Sequence, residues 1–440
     1  MRAGPRAPLT LEPEELRRLG HRVVDAIVEH WERLSERAGG PPIKTGDAAA
    51  LREAVGGPPP DGPGDPDAAL DTLLREVLPF MQHGDHPRFF ARVGSPSNPV
   101  SALADALAAG LNVFAGSWAG GSGPATVELV VLDWLRAWCG LPERTGGVLV
   151  SGGSVGSLTA LAAAREAGAR RAVVSDQTHA SVLRALRLLG LPYETLATDD
   201  GFRLRPDDVR AAASGDAVVI ATAGTTNTGA VDPIAEIRAA SGDAWLHVDG
   251  AYGAPAALVG AVDGLEHADS IVLDPHKMLF QPYEAGCVLV RHEGALERAF
   301  SLFGEYLRDV VSDEVDFRDR SPQLSRGSRA LKLWLSFHVF GVDAFRDAIR
   351  RVIALAERAE RAIEATGNLE VVTPAQLGIV TFAPVAGDAG ALSERVVADG
   401  FAAPSSTVLR GRTVLRLCTI NPRTTDEDVD RTVERISRLA

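Results

Sequence analysis

The sequence predicts an α/β protein built on one mostly parallel sheet, with a smaller α+β unit at its carboxyl end. From about residue 147 onward, short runs of β-branched and apolar residues alternate with stretches of helical periodicity. Most of these runs are apolar throughout, which is typical of strands that helices cover on both faces. Beyond Arg326 the alternation gives way to long helical patterns and then to short strands.

The chain begins with a predicted amphipathic helix and a connector. Four apolar residues at three-to-four-residue spacing form the stripe of this helix: Leu16, Leu19, Val23 and Ile27. The segment Gly39–Pro66 is dense in Gly, Pro and Asp, so we expect an extended connector without regular structure. We therefore predict an N-terminal helical arm and connector over residues 1–85.

Seven strands are predicted in the large α/β domain, which we assign to residues 86–325. They are Val148–Val150, Ala172–Val174, Tyr193–Ala197, Val218–Ala221, Trp245–Val248, Ile271–Leu273 and Cys287–Val290. The seventh follows the sixth without an intervening helix, so we expect it to run antiparallel. A small α+β domain is predicted over residues 326–440. Its elements are helices over Ala330–Phe340 and Val342–Ala365, strands around Leu377–Phe382 and Val414–Leu417, and a closing helix from Asp426.

Composition argues against several functional classes. The 440 residues carry a formal net charge of −13, which argues against a nucleic-acid-binding face. No segment reaches about 18 uninterrupted apolar residues, and residues 1–10 lack the apolar region of a signal peptide. Cys139, Cys287 and Cys418 are far apart with no CxxC pair, so we expect neither disulfides nor a cysteine zinc site. The sequence therefore predicts a cytoplasmic protein without nucleic-acid or membrane partners.

Polar loops follow the predicted strands at their carboxyl ends, where open α/β sheets bind ligands. Ser151–Ser154 lies between the first strand and a helical run, so its backbone N–H groups are expected to cradle a phosphate. Ser175–His179 and the hydroxyl-rich segment Gly224–Gly229 follow two further strands. These loops indicate a polar ligand that carries a phosphate.

Asp249 and Lys277 follow two neighbouring strands of the predicted sheet. A carboxylate at the end of an apolar strand is costly to bury unless a cation pairs with it, and a protonated pyridine nitrogen is such a cation. Lys277 comes directly after the short turn Asp274–His276. We expect burial to lower the pKa of its amine, so that it can attack an aldehyde carbon. Together these residues predict pyridoxal 5′-phosphate (PLP), held on Lys277 as an imine.

Two other interpretations of the same residues stay open at this point. The segment after the first strand matches the G-x-S-x-G pattern of a nucleophile elbow. Ser154, Asp249 and His276 occur in hydrolase order and predict, as the alternative, a serine hydrolase triad. His247, Asp249 and His276 could instead hold a metal ion, but no further ligand is apparent and we expect no metal. The hydrolase interpretation leaves Lys277 unexplained.

Taken together, the motifs resemble those of the group II PLP-dependent decarboxylases, the family of aromatic-amino-acid, glutamate and cysteine-sulfinate decarboxylases. The similarity covers nearly the whole chain, from His86–Phe90 to Asn421–Asp426. Its central motifs are Ser175–His179, Gly224–Asp232, His247–Tyr252 and Ala268–Lys277. The resemblance implies PLP fold type I, a homodimer with active sites at the subunit interface, and removal of the α-carboxylate of an L-amino acid to give an amine and CO2.

The resemblance also implies roles for the site residues. Lys277 would carry the cofactor, Asp249 would pair with its pyridine nitrogen, and His179 would stack on its ring. The remaining expected cofactor contacts are Gly153, Ser154, Thr226, Ala251 and His276. The expected substrate contacts are Arg92, Ser95 and Trp118.

Two departures from the family pattern bear on the chemistry. Phe317 stands where aromatic decarboxylases carry a tyrosine in an Asp-Tyr-Arg sequence, and we interpret that tyrosine as the proton donor to the substrate carbon. Its replacement predicts, as an alternative, oxidative deamination to an aldehyde with CO2, ammonia and hydrogen peroxide. Decarboxylation stays the leading prediction, with His179, Lys277 or water as the donor. Asp274 stands where family members often carry an asparagine that contacts the phosphate. The aspartate would place a negatively charged carboxylate beside the negatively charged phosphate.

Overall fold

The computed structural model describes residues 9–36, 40–301 and 314–440. Three stretches covered by the predictions lie outside the described residues: positions 1–8 of the arm, positions 37–39 including the start of the connector, and positions 302–313 of the large domain. Within the described ranges, no helix is both long enough and apolar enough to cross a membrane.

Seven strands form the larger sheet in the described part of the chain. They are β1 (Gly146–Val150), β2 (Arg171–Ser175), β3 (Tyr193–Leu196), β4 (Ala217–Thr222), β5 (Trp245–Asp249), β6 (Ser270–Leu273) and β7 (Gly286–Val290). Their order across the sheet is β1-β7-β6-β5-β4-β2-β3. β7 pairs antiparallel with β1 and β6, and the other pairs are parallel. The seven predicted strands and the antiparallel seventh strand are confirmed.

Helices precede, connect and follow these strands. Those before the sheet are α1 (Pro13–Ser35), α2 (Ala48–Val55), α3 (Pro66–Thr72), α4 (Pro99–Gly110) and α5 (Trp118–Trp138). Those within or after it are α6 (Gly153–Glu166), α7 (Ala180–Leu189), α8 (Pro206–Ala212), α9 (Ile234–Ser241), α10 (Ala295–Phe300) and α11 (Ala330–Glu364). Every residue of β4, β6 and β7 is buried, as expected for strands covered on both faces.

The smaller sheet lies in the carboxyl-terminal part of the chain. Its strands are β8 (Leu369–Gln376), β9 (Ile379–Pro384), β10 (Ser405–Leu409) and β11 (Arg412–Cys418), in the order β10-β11-β9-β8. The helices α12 (Ala389–Asp399) and α13 (Asp426–Leu439) follow β9 and β11. The two strands and the closing helix predicted here correspond to β9, β11 and α13, whereas β8 and β10 were not predicted. Non-helical backbone at Gly341 interrupts α11 between the two predicted helical segments.

The predicted connector contains a helix, so the expectation of an entirely irregular segment was wrong. α2 lies in the middle of it, and the side chain of Asp47 accepts hydrogen bonds from the backbone N–H groups of Ala49 and Ala50. An N-cap followed by a run of alanines provides both a start signal and the best helix formers. These local signals outweigh the flanking Gly and Pro residues.

Candidate active site

A cleft of about 440 Å³ opens at the carboxyl ends of the strands of the larger sheet. The polar loops after β1, β2, β4, β5 and β6 converge on it, because the carboxyl ends of parallel strands meet at one edge. The cleft brings together eight predicted site residues: Gly153, Ser154, His179, Thr226, Asp249, Ala251, His276 and Lys277.

Lys277 lines this cleft beside the carboxylate of Asp274. Its Nζ lies 3.0 Å from Oδ2 of Asp274, and its side chain is 23% exposed. Burial lowers the pKa of Lys277, but the negative charges of Asp274 and Asp249 and a hydrogen bond to Asp274 outweigh burial, so the pKa is raised. The prediction that the pKa of Lys277 is lowered was therefore wrong for the free amine. The prediction considered burial and did not consider the negative charge of Asp274.

Asp249 ends β5 as a buried carboxylate, with 7% of its surface exposed. Its Oδ1 accepts the backbone N–H of Ala251 at 3.2 Å. None of the described arginines, lysines or histidines forms an ion pair with it within 4 Å. A buried carboxylate without a protein cation is suited to a ligand that brings its own positive charge.

The amino end of α6 forms a narrow cradle beside Lys277. A Cβ atom at Gly153 would lie 3.1 Å from Oδ2 of Asp274 and from Cβ of Ala251, and one at Gly152 would lie 3.0 Å from the His276 ring. The close approach of these neighbours therefore favours glycine at both positions. No described side chain caps α6, so the N–H groups of its first turn are available to an anion.

His179 lines the opposite side of the cleft and begins α7. Its Nδ1 accepts the backbone N–H of Ser181 at 3.2 Å and lies 2.7 Å from the hydroxyl of the same residue. This contact fixes the ring at the helix terminus. Gln177 also lines the cleft and accepts a hydrogen bond from Asn227 at 3.2 Å, which ties the loops after β2 and β4 together. Sequence reasoning assigned no role to Gln177.

Comparison with known proteins identifies the family to which this chain belongs. Residues 59–384 match the family model described as the pyridoxal-dependent decarboxylase conserved domain. The aromatic-L-amino-acid decarboxylase of Bacillus atrophaeus is 42% identical, and the match covers 98% of this chain and 97% of that protein. The chain belongs to the pyridoxal-dependent decarboxylase family.

Two further relatives show that proteins similar to this chain include both a decarboxylase and an aldehyde synthase. TDC from Oryza sativa, solved with PLP and tryptamine, has a TM-score of 0.91 at 27% identity, over 99% of both chains. A phenylacetaldehyde synthase of Arabidopsis thaliana is 31% identical, over 95% of this chain and 94% of that protein. The chain is therefore a PLP-dependent carboxy-lyase of fold type I that acts on amino acids.

The cleft residues of the decarboxylase fit this cofactor. The amine of Lys277 can bind the aldehyde carbon, Asp249 offers a negative charge for the ring nitrogen, and the first turn of α6 offers N–H groups to the phosphate. When bound, the cofactor supplies a ring that accepts the electron pair released as CO2 leaves.

His276 does not form the hydrolase triad that the sequence allowed. Its Nδ1 accepts the backbone N–H of Ala285 at 3.2 Å, and its Nε2 lies 3.5 Å from Oδ2 of Asp274. Among the described residues, no hydrogen bond joins this ring to Asp249 or Ser154, so the triad of the serine hydrolase interpretation is not formed. Within the described residues, no group of three or more His, Cys, Asp or Glu side chains could hold a metal ion.

The structure does not bring four predicted residues to the surface of the cleft. Arg92 is exposed and donates a hydrogen bond to the side chain of Gln82 at 3.1 Å. Ser95 is buried and donates to the backbone carbonyl of His276, so it supports the turn before Lys277. The other two are Trp118 and Phe317.

Trp118 and Phe317 belong to the packing around α5. The backbone N–H of Trp118 donates to the carboxylate of Asp316 at 2.8 Å, which attaches the start of α5 to the segment containing Phe317. The Phe317 ring is fully buried, with the guanidinium groups of Arg326 and Arg320 at 5.2 and 5.8 Å from its centre. The ring therefore belongs to the core and is not among the residues that line the cleft.

Arg416 is a buried cation of the decarboxylase that sequence reasoning missed. Only 4% of it is exposed, and burial lowers the pKa of its guanidinium. Its Nη1 lies 3.4 Å from the hydroxyl of Ser405, whereas Nε and Nη2 have no hydrogen-bond partner among the described residues. An arginine inside the apolar run Val414–Cys418 was the available signal, because a buried guanidinium requires an acceptor.

Proposed function

We propose that this decarboxylase removes the α-carboxylate of an aromatic L-amino acid and releases the corresponding amine and CO2. The observation that carries the proposal is the placement of Lys277, Asp249 and the first turn of α6 around one cleft. The aromatic class is supported by the 42% identical aromatic-L-amino-acid decarboxylase and by the tryptamine bound to TDC from Oryza sativa.

The proposed roles divide the cleft into three parts. Lys277 binds the aldehyde carbon, and Asp249 keeps the ring nitrogen charged from the opposite end. Gly153 and Ser154 donate backbone N–H groups to the phosphate at the start of α6. Thr226, Ala251, His179 and His276 line the space between these ends. With the ring held at both ends, the residues that line the cleft would orient the α-carboxylate for its removal.

We propose an amine rather than an aldehyde as the product. The aldehyde alternative depended on Phe317 replacing a proton donor, and this side chain lies in the core rather than on the cleft. His179 and Lys277 both line the cleft and are able to deliver a proton to the substrate carbon. Simultaneous measurement of CO2, amine and hydrogen peroxide tests this choice, and peroxide formed in proportion to CO2 would overturn it.

The cofactor and the reaction are tested together by spectroscopy. Purified protein with PLP should show a visible absorption band that disappears on treatment with borohydride, and Lys277→Ala should lack this band. The wild-type protein should release CO2 from phenylalanine, tyrosine or tryptophan. Release from glutamate alone would contradict the aromatic substrate class and leave decarboxylation intact.

We propose further that the enzyme is a cytoplasmic homodimer with active sites at the subunit interface. Apolar side chains on α1 and α4 are exposed in the single chain: Leu16, Val23, Val24, Val28, Leu103, Leu107 and Leu111. A second copy of the chain would bury such surfaces. Cys139, Cys287 and Cys418 are buried and unpaired, which supports a reducing compartment.

A further inference from the structure

A hydrogen-bonded chain of side chains lies on the same sheet face as Asp249. Trp245, His247 and Asp249 alternate along β5, so their side chains share one face of the sheet. The indole Nε1 of Trp245 donates to Oγ of Ser270 at 2.8 Å, and Nδ1 of His247 lies 2.9 Å from the same oxygen. Both contacts reach from β5 to β6, where Ser270 is the direct neighbour of His247.

These contacts favour the tautomer of His247 that carries its proton on Nε2. Burial lowers the pKa of His247 to about 4, so the ring is neutral at physiological pH. The hydroxyl oxygen of Ser270 already accepts the indole N–H of Trp245, and its own proton is free to be donated to Nδ1. With Nδ1 as the acceptor, the neutral imidazole carries its proton on Nε2.

Two buried polar groups on this face lack a hydrogen-bond partner within the described residues. They are Nε2 of His247 and Oγ1 of Thr222. Thr222 lies directly opposite Asp249 in the pairing of β4 with β5, and His247 lies two residues before Asp249 on the same face of β5. Leaving a buried donor unpaired is unfavourable, so such groups favour any acceptor within reach. Asp249 lies on the same face and can accept further hydrogen bonds, because the backbone N–H of Ala251 contacts only its Oδ1.

We propose that His247 is a positioning residue for Asp249. Neither its Nε2–H nor the hydroxyl of Thr222 bonds the carboxylate in this structure. With the cofactor in place, both groups would donate to the carboxylate and hold it towards the ring nitrogen. The Trp245–Ser270 contact maintains the required tautomer of His247. Donors of this kind stabilise the negative charge of a buried carboxylate and restrict its rotation. The inference rests on the proposed role of Asp249.

The test measures the cofactor nitrogen itself. Apoprotein variants are reconstituted with PLP labelled with nitrogen-15 in its ring, and the nitrogen chemical shift and the dissociation constant of PLP are recorded. His247→Leu should move the shift towards the unprotonated ring and weaken PLP binding about tenfold, the loss of one buried hydrogen bond. His247→Gln retains an N–H donor and should stay within about threefold of the wild type. Ser270→Ala should fall between these two variants.

A matched control separates positioning from packing. Val248 is buried on the opposite face of β5, so Val248→Ala removes packing without changing the polar chain. This variant should keep the wild-type shift even if its melting temperature falls. The inference is overturned if His247→Leu also keeps the wild-type shift, or if His247→Gln behaves like His247→Leu. If Asp249→Asn leaves the shift unchanged, the proposed role of Asp249 fails instead.

Discussion

At the scale of single residues, Asp274 is a carboxylate in a cleft suited to a phosphate. Its Oδ2 contacts Lys277, its Oδ1 is buried without a partner among the described residues, and the carboxylate borders the glycine cradle at Gly153. The negative charge should oppose the cofactor's phosphate, since like charges in a partly buried site repel strongly. Asp274→Asn is therefore expected to tighten PLP binding about tenfold, as measured by absorbance titration.

Pyridoxal, which lacks the phosphate, provides the comparison for this prediction. Asp274→Asn should tighten the binding of PLP more than that of pyridoxal, because the lost charge beside Lys277 affects both aldehydes whereas the relieved repulsion affects the phosphate alone. Glu284→Gln is the matched control, because Glu284 also lines the cleft but is half-exposed and pairs with Arg329 at 2.8 Å. An equal change in the affinities for PLP and pyridoxal would show that Asp274 acts elsewhere.

Phe317 offers a second test at the residue scale. The ring lies in the core between two guanidinium groups, so a tyrosine there would bury a hydroxyl rather than present it to the substrate. Phe317→Tyr should leave the ratio of amine to peroxide unchanged and lower the free energy of unfolding by about 1–3 kcal/mol. Product analysis and urea unfolding measure the two effects. A rise in amine at the expense of peroxide would restore this position to the chemistry.

These residues show where sequence reasoning about the site succeeded and where it failed. Asp249 and Lys277 follow strands of one sheet, so their meeting at its edge was predictable from topology alone. The side-chain directions of Arg92 and Phe317 depend on tertiary contacts with residues outside their own motifs. Arg92 turns towards Gln82, and Phe317 is enclosed by residues around α5 and Arg326. Motif spacing carries no information about such contacts.

At the scale of elements, burial determined which strands were predictable. β4 and β6 are buried throughout and appear in the sequence as apolar runs. β10, by contrast, has alternating exposure and lies at the edge of the smaller sheet, so its sequence resembles a polar loop. α2 was missed for a different reason, since its signal was the local cap at Asp47 within a segment dominated by Gly and Pro.

A buried ion pair connects α5 to the segment before α11. Arg326 forms a two-pronged contact with Glu128 at 2.7 and 2.9 Å, and neither side chain has any exposed surface. Oε1 of Glu128 also accepts the backbone N–H of Leu149 in β1 at 2.9 Å. Glu128→Gln leaves the guanidinium buried without a counter-charge, so we expect a loss of about 3–5 kcal/mol in the free energy of unfolding.

Urea unfolding of the wild type and of Glu128→Gln at neutral pH measures this loss. Asp347→Asn is the control, because Asp347 forms an exposed pair with Arg350 one turn along α11. Breaking that surface pair should cost less than about 1 kcal/mol. Equal losses in the two variants would contradict the structural role assigned to the buried pair.

At the scale of the whole molecule, His86 makes stability depend on pH. Its segment connects to the smaller sheet through the backbone N–H of Cys418 in β11, which donates to the carbonyl of Phe90. Burial and the charge of Arg88 lower the pKa of His86 to about 4. Because the unfolded chain has the higher pKa, it binds more protons between about pH 6.5 and 4, and stability falls as the pH falls through this window. The buried carboxyl of Asp232, whose pKa is raised to about 6, opposes part of this change.

His86→Asn isolates the contribution of His86 from that of Asp232. Asparagine retains an acceptor for the backbone N–H of Arg88, which now bonds Nδ1 of His86 at 3.0 Å, but does not titrate. The free energy of unfolding falls when the pH is lowered from about 7 to about 4.5. This fall should be about 2–3 kcal/mol smaller in the variant than in the wild type. Thermal unfolding of the apoproteins at both pH values measures the difference. Parallel pH profiles would show that His86 is not the responsible group.

The exposed face of α4 tests the proposed assembly. Leu103, Leu107 and Leu111 recur every four residues, so they form one stripe, and they are 45%, 59% and 69% exposed. A charge in the middle of this stripe should prevent a partner from covering it, so Leu107→Glu is expected to sediment as a monomer and to lose activity with it. Leu188→Glu, at an equally exposed position on α7, should remain a dimer. A wild-type protein that sediments as an active monomer would contradict both the dimer and the placement of the active site at its interface.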